Sequence, residues 1–205
     1  IGTIGGGMCR YNREKDSFDR YLSLPHQNSL SGLNVTAITE DQKGNIWIGT
    51  IGEGVTCLNP ETGRMDTYLF DSISVIDQKF SNVRTLHPDR YGNIWVGFDF
   101  DRNGIYKIDP ASKKISFHGL PSGHPDFSNV GAVTSIGEMS DGSLLFTIWN
   151  CQIYRLHPLH DTQIHPWEKS GLFQNDHLTS VVVSPEDQIW IGTWENGLYL
   201  IDSPS

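Results

Sequence analysis

The sequence predicts an all-β fold: a partial β-propeller of four-stranded antiparallel blades, about 4.5 repeats of 45–50 residues. Three observations predict it. An apolar stretch around a single Trp, bounded by glycine turns, occurs as KGNIWIGTIGEGV (43–55), YGNIWVGFDFDRNGI (91–105) and EDQIWIGTWENGL (186–198). Around that stretch the chain keeps register, with Trp47, Trp95, Leu145 and Trp190 in one column and Val35/Ile38, Val83/Leu86, Val133/Ile136 and Leu178/Val181 in two columns upstream. No ten-residue segment shows helical periodicity.

Each unit reads as four strands, which in the first complete unit are VTAITED, NIWIGT, GVTCLN and RMDTYLF. The first two are joined by a D-x-x-G turn, Asp41 to Gly44 and Asp89 to Gly92. Asp accepts local backbone hydrogen bonds, and Gly takes the positive φ that a tight hairpin needs. The Trp on the second strand is read as a packing anchor between neighbouring blades, because an aromatic of that size buries a large area. Gly44, Trp47 and Gly49, Gly92, Trp95 and Gly97, and Trp190 and Gly192 are thus structural positions of the repeat. Leu145 keeps the column apolar in the third complete unit. The 205 residues are expected to form one domain: a partial blade at 1–22, blades at 33–70, 82–120 and 131–167, and a partial blade at 177–205. The polar, Gly/Ser/Asn-rich segments 23–33, 71–82, 119–131 and 168–177 read as blade linkers.

Composition narrows the function classes. Charged residues are 19% and hydrophobic ones 37%, an ordinary globular balance that argues against disorder. The net charge of −9 without any Lys/Arg run argues against nucleic acid as a partner. No stretch approaches eighteen consecutive apolar residues, so no membrane contact is expected of this segment. Residue 1 falls in the middle of a repeat, so the chain reads as a piece of a longer protein. Cys9 and Cys57 are offset by one residue within their repeats and point to opposite faces; with Cys151 they form no C-x-x-C spacing, and no disulfide is indicated.

Candidate binding residues fall on the turns between second and third strands, which share one face of a propeller with the blade-to-blade connections. These turns are 4–7, 51–54, 98–103, 148–150 and 194–196. Three depart from a Gly-rich form, and the ligand-binding candidates they supply are Phe98, Asp99, Asp101, Arg102, Trp149, Asn150, Trp194 and Glu195. Aromatics beside carboxylates, an amide and a guanidinium suit a sugar, which stacks its C–H face and hydrogen-bonds its hydroxyls. Packing between blades or against a neighbouring domain is the competing use of the same side chains. His157, His160, Asp161 and His165 form the most metal-like cluster, but His157 stands in the column of Asn59 and Asp109, at an outer turn. The acidic turn around Asp99 and Asp101 lacks the ordered oxygen spacing of a calcium loop. No metal or cofactor is expected. Neither a nucleophile elbow nor a recurring carboxylate pair is present, so no catalytic residue is assigned.

The pattern V-x-x-I-x-x-D-x-x-G-N-I-W-I-G-T-x-x-x-G-[VIL]-x-x-[IL]-[DN]-P-x-x-G resembles the two-component regulator propeller repeat. Residues 35–63 match it nearly throughout and 83–110 and 178–202 match well, while 133–158, with SLLFTIW, match weakly. The resemblance implies tandem propellers on the extracytoplasmic, periplasmic side of hybrid two-component sensors, usually of about seven blades. It implies that a β-sandwich domain, a membrane helix, a histidine kinase and a DNA-binding response regulator follow, none of which is in this sequence. Members often sense oligosaccharides in Bacteroidetes-type bacteria. The expected role is therefore a non-catalytic signal-input segment feeding a phosphorelay, responding to a carbohydrate-type ligand. Its expected partners are an oligosaccharide, neighbouring propeller and sandwich domains, and a second copy of the chain through open blade edges. The alternatives are a propeller scaffold without a kinase and a fragment of a lyase-type propeller enzyme.

Overall fold

Asp41 shows how the repeat folds locally. Its Oδ1 accepts hydrogen bonds from the backbone N–H groups of Lys43 (2.9 Å) and Asn45 (3.0 Å), while Gly44 sits at φ +79°. Asp89 does the same for Tyr91 and Asn93 around Gly92. In the last unit Ser184 Oγ takes the carboxylate's place, accepting from Glu186 and Gln188. There a non-glycine residue, Asp187, adopts the left-handed conformation at φ +59°. The turn geometry is thus kept when its residues change.

The computed structural model describes residues 1–25, 27–70, 82–99, 104–121, 132–150, 152–161, 163–173 and 176–202. Among these, seventeen strands form five antiparallel sheets. Strands β1 (Met8–Asn12) and β2 (Ser17–Tyr21) make a hairpin. The first complete sheet is β3 (Val35–Glu40), β4 (Ile46–Thr50), β5 (Val55–Leu58) and β6 (Met65–Tyr68). The second is β7 (Val83–Pro88), β8 (Ile94–Phe98), β9 (Gly104–Asp109) and β10 (Lys114–Gly119). The third is β11 (Val133–Glu138), β12 (Leu144–Ile148), β13 (Gln152–Leu156) and β14 (His165–Pro166). The last has three strands, β15 (Leu178–Val183), β16 (Ile189–Thr193) and β17 (Leu198–Ile201). Strands pair in sequence order within every sheet, and the first strands of successive sheets, β3, β7, β11 and β15, lie beside one another. This is the blade arrangement of a propeller.

Sheets pack face to face along seams. Trp47 is fully buried with Val83, Ile94 and Tyr106 of the next sheet, and Trp95 with Val133, Ile136 and Phe146 of the sheet after that. Glycine on the second strand lets the seam close: a Cβ at Gly97 would lie 2.6 Å from Val133 Cγ1. The third seam uses Leu145 with Leu178, Val181 and Ile191. At the last sheet the same face is open; Trp190 is 36% exposed and Val182 and Leu198 stand out from the surface. Side chains also clamp the hairpin ends to the following blade. Arg90 donates to Glu138 Oε1 and to the carbonyls of Met139 and Ser140, and Ser140 donates to Asp187.

Each first strand carries a β-bulge at its second residue, which is Thr36, Arg84, Thr134 and Thr179 in turn. A bulge turns one side chain out of the pleat. Thr36 and Thr134 use their hydroxyls to tie the bulge back to carbonyl oxygens, at Val83 and Thr147 respectively.

The linker read at 168–177 contains a 3-10 helix, Glu168–Phe173, whose Phe173 enters the third seam. Periodicity cannot announce a 3-10 helix of only six residues. Cys9 and Cys57 are free thiols, and Cys151 lies outside the described residues. Most of the linkers at 71–82 and 119–131 also lies outside them. Among the described residues, no helix is long and apolar enough to cross a membrane.

Candidate functional site

The turns between second and third strands are fixed at one point each. The first turn residue donates its backbone N–H to the carbonyl just ahead of that blade's first strand: Ile51 to Asn34 (3.0 Å), Asp99 to Asn82 (2.8 Å), Trp149 to Ala132 (3.0 Å) and Trp194 to His177 (2.9 Å). Ile51, Asp99, Trp149 and Trp194 are therefore structurally equivalent, one per blade. The fold varies their chemistry while holding their backbone, the usual division between rigid scaffold and functional loop.

Trp149 and Trp194, from adjacent blades, are brought together. Their rings meet edge to face with centroids 5.6 Å apart. His177 lies parallel to Trp149 at 4.8 Å and 9°. Trp194 is 68% exposed, His177 is exposed and Trp149 half-buried. The result is an aromatic platform open to solvent at the junction of the third complete sheet and the last. Asn150 is half-buried next to it in the chain, and Glu195 is exposed on the following turn. His177 was not legible as a site residue; in the sequence it ends a polar linker, and only the blade junction places it on Trp149.

Asp99 lies one blade further back. Its carboxylate is 3.7 Å from the Arg84 guanidinium. Burial pushes the Asp99 carboxyl above its ordinary value, and Arg84 opposes that only in part. Arg84 stands at the bulge position that is Thr in the other three first strands, a substitution visible in the sequence only once the bulges are aligned.

Phe98 requires a correction. It is the last residue of β8, 2% exposed, and packs edge-on against Phe70 (5.0 Å) and Tyr106 (5.4 Å). Alternation along the strand turns it into the first seam, away from the loop face. Asp101 and Arg102 lie outside the described residues.

The histidine cluster lies elsewhere. His157, His160, Asp161 and His165 line a cavity of about 420 Å³ with Arg155 and Trp167. There His157 serves its own turn: Nε2 donates to the Asp141 carbonyl (3.0 Å) and Nδ1 accepts from the Leu159 N–H (3.3 Å). Among the described residues, no three His, Cys, Asp or Glu side chains converge as a metal site. Among the described residues, the loop-face platform offers stacking surface and hydrogen-bonding groups.

Comparison with known proteins places these features. Residues 29–52 and 77–100 match the family profile described as two component regulator propeller. No curated protein sequence matches the chain. Two solved structures of the extracellular domain of BT4673 from B. thetaiotaomicron, described once as a hybrid and once as a one component system, are similar. They share 18% and 19% identity with TM-scores of 0.72 and 0.74, over 97% and 100% of this chain but 25% and 26% of theirs. PorZ, a surface component of the type-IX secretion system of Porphyromonas gingivalis, is similar at 16% identity and TM-score 0.72, over 98% of this chain and 30% of its own. At such identities the likeness establishes the propeller fold. The chain spans about a quarter to three tenths of the length of these structures.

Proposed function

Because residues 29–52 and 77–100 match the two component regulator propeller profile, we propose that this chain is a non-catalytic signal-input segment in the periplasmic region of a hybrid two-component histidine kinase. It receives a carbohydrate-type ligand and biases a phosphorelay elsewhere in the parent protein. The observation that carries the ligand reading is the platform of Trp149, His177 and Trp194, three rings from two blades held open to solvent. Apolar rings of this size standing free on a loop face suit the C–H face of a sugar. The structural likeness to the extracellular domain of BT4673, described once as a hybrid two component system and once as a one component system, is compatible with that setting.

Titration calorimetry of the protein with a panel of neutral oligosaccharides tests this reading. Binding by one class, lost in the Trp149→Ala/Trp194→Ala double variant with the fold intact by circular dichroism, is the expected result. Affinity unchanged in the double variant removes the platform from the reading.

The exposed face of the last sheet favours a second contact. Val182, Trp190, Leu198 and Leu200 are apolar and uncovered there. The equivalent faces of the complete sheets are covered by the next blade, so this one suits an apolar cover of the same kind, whether a further blade of the parent protein, a neighbouring domain or a second copy. Concentration-dependent association in light scattering is expected, and a monomer at all concentrations counts against the second copy.

A further inference from the structure

Resting on the saccharide reading of Trp149 and Trp194, the question is which group of the platform gives a ligand its polar direction. Indole N–H groups only donate. An imidazole donates or accepts according to its tautomer, and here the tautomer is decided by geometry. His177 Nδ1 lies 3.2 Å from the Trp149 carbonyl oxygen. A carbonyl only accepts, so the hydrogen is on Nδ1. In the neutral ring Nε2 is then unprotonated and carries a free lone pair. Among the described residues Nε2 has no hydrogen-bond partner.

The ring lies on the Trp149 indole at 4.8 Å and 9°, and a half-turn about Cβ–Cγ would put Cδ2 in place of Nδ1 and forfeit the bond to the carbonyl. The position has a precedent within the chain. Asn34, at the same place before β3, reaches back with Oδ1 to the Gly5 N–H of the preceding turn at 2.8 Å. In both blades this residue ties its blade to the turn before it. At His177 the tie consumes one nitrogen and leaves the other for solvent.

We propose that His177 is the hydrogen-bond acceptor of this site: Nε2 takes a hydroxyl hydrogen of a neutral saccharide whose ring lies on Trp149 and Trp194. His177 would then set the orientation of the sugar, which two indole faces alone do not define.

Two measurements test it. Nitrogen-detected NMR of the unliganded protein at pH 7.5 reads the tautomer directly, with Nδ1–H expected; an Nε2–H ring overturns the proposal whether or not any sugar binds. The second measurement uses cellobiose, xylobiose, arabinobiose, mannobiose and galactobiose, then the monodeoxy analogues of whichever binds tightest. His177→Phe keeps a stacking ring and removes both nitrogens; His177→Asn carries the side chain found at position 34. Both variants should lose about tenfold in affinity for the parent sugar, and neither should weaken binding of the one analogue that lacks the bonded hydroxyl. Equal loss for parent and every analogue makes His177 a merely structural residue and overturns the proposal. Loss in Trp149→Ala/Trp194→Ala with none in either His177 variant leaves the saccharide reading standing and the His177 role refuted. Failure of all five sugars to bind overturns both.

Discussion

Trp95 donates its indole N–H to Asp89 Oδ2 at 2.8 Å, and both side chains are fully buried. Trp47 makes the same bond to Asp41 at 2.9 Å. One Asp thus closes the hairpin turn with one oxygen and satisfies the seam Trp with the other. In the third complete unit both are gone together: Leu145 stands for the Trp and Met139 for the Asp. Removing both partners should therefore cost less than the two single removals added together. Trp95→Leu leaves a buried carboxylate short of a donor, a loss of about 1–3 kcal/mol beyond that of the missing apolar volume. Trp95→Leu/Asp89→Met should be less destabilised than the sum of its singles, by about 0.5–3 kcal/mol in a urea-unfolding double-mutant cycle. Strict additivity would show the bond to be incidental.

The glycines of the repeat have separate duties. Gly97 needs space: an added Cβ would meet Val133 Cγ1 at 2.6 Å and Thr85 Cγ2 at 2.7 Å. Gly52 needs only its backbone, at φ +77° with nothing within 4 Å of an added Cβ. Gly97→Ala should cost about 1–3 kcal/mol through overpacking, and Val133→Ala should recover part of it. Gly52→Ala should cost about 1–2 kcal/mol from the left-handed backbone alone, with no recovery by any neighbour. Chemical denaturation of the three variants decides, and a Gly97→Ala protein as stable as the parent would refute the close-packed seam.

Stability should fall in acid partly through Glu138. Burial would raise its carboxyl, but His87, 3.7 Å away, and Arg90, bonded at 2.5 Å, outweigh burial and hold it below the ordinary value. A carboxyl lowered in the folded state stabilises above its unfolded value, about 4.3. That contribution fades as pH falls through the lower folded value. The Asp41 carboxyl is also lowered: burial acts against it, and hydrogen bonds from Trp47, Asn45 and the turn backbone prevail. Glu138→Gln should be less stable than the parent at pH 7, with the gap narrowing below about pH 4 in urea midpoints. A constant gap between pH 7 and pH 3 would exclude the clamp as a source of acid lability.

Cys57 should be chemically quiet. Burial first, then the nearby Asp41 and Asp66 charges, push its thiol up to about 12. Little thiolate exists at pH 8, and the thiolate is the reactive form. In a Cys9→Ser/Cys151→Ser protein, iodoacetamide should label Cys57 slowly in buffer and at the free-thiol rate in urea, read by mass spectrometry. Rapid labelling of the folded protein would contradict the burial that raises it.

The repeat itself announced the fold. Columns of Val, Trp and Gly, the D-x-x-G turns and the absence of helical periodicity suffice for four short strands per unit, because strand alternation and turn chemistry are local. The seam role of Trp47 and Trp95 was likewise readable. What sequence spacing does not carry is proximity across blades. Trp149, His177 and Trp194 are up to 45 residues apart and meet only because two sheets pack side by side. Phe98 and Asp99 are neighbours in the chain, yet strand alternation buries the first in a seam while the second sits on the loop face beside Arg84. The His177 tautomer lies further still from the sequence, since a single carbonyl oxygen of another blade decides which nitrogen holds the hydrogen. Period and turn type are properties of a few consecutive residues; the site depends on which turns the packed seams bring together.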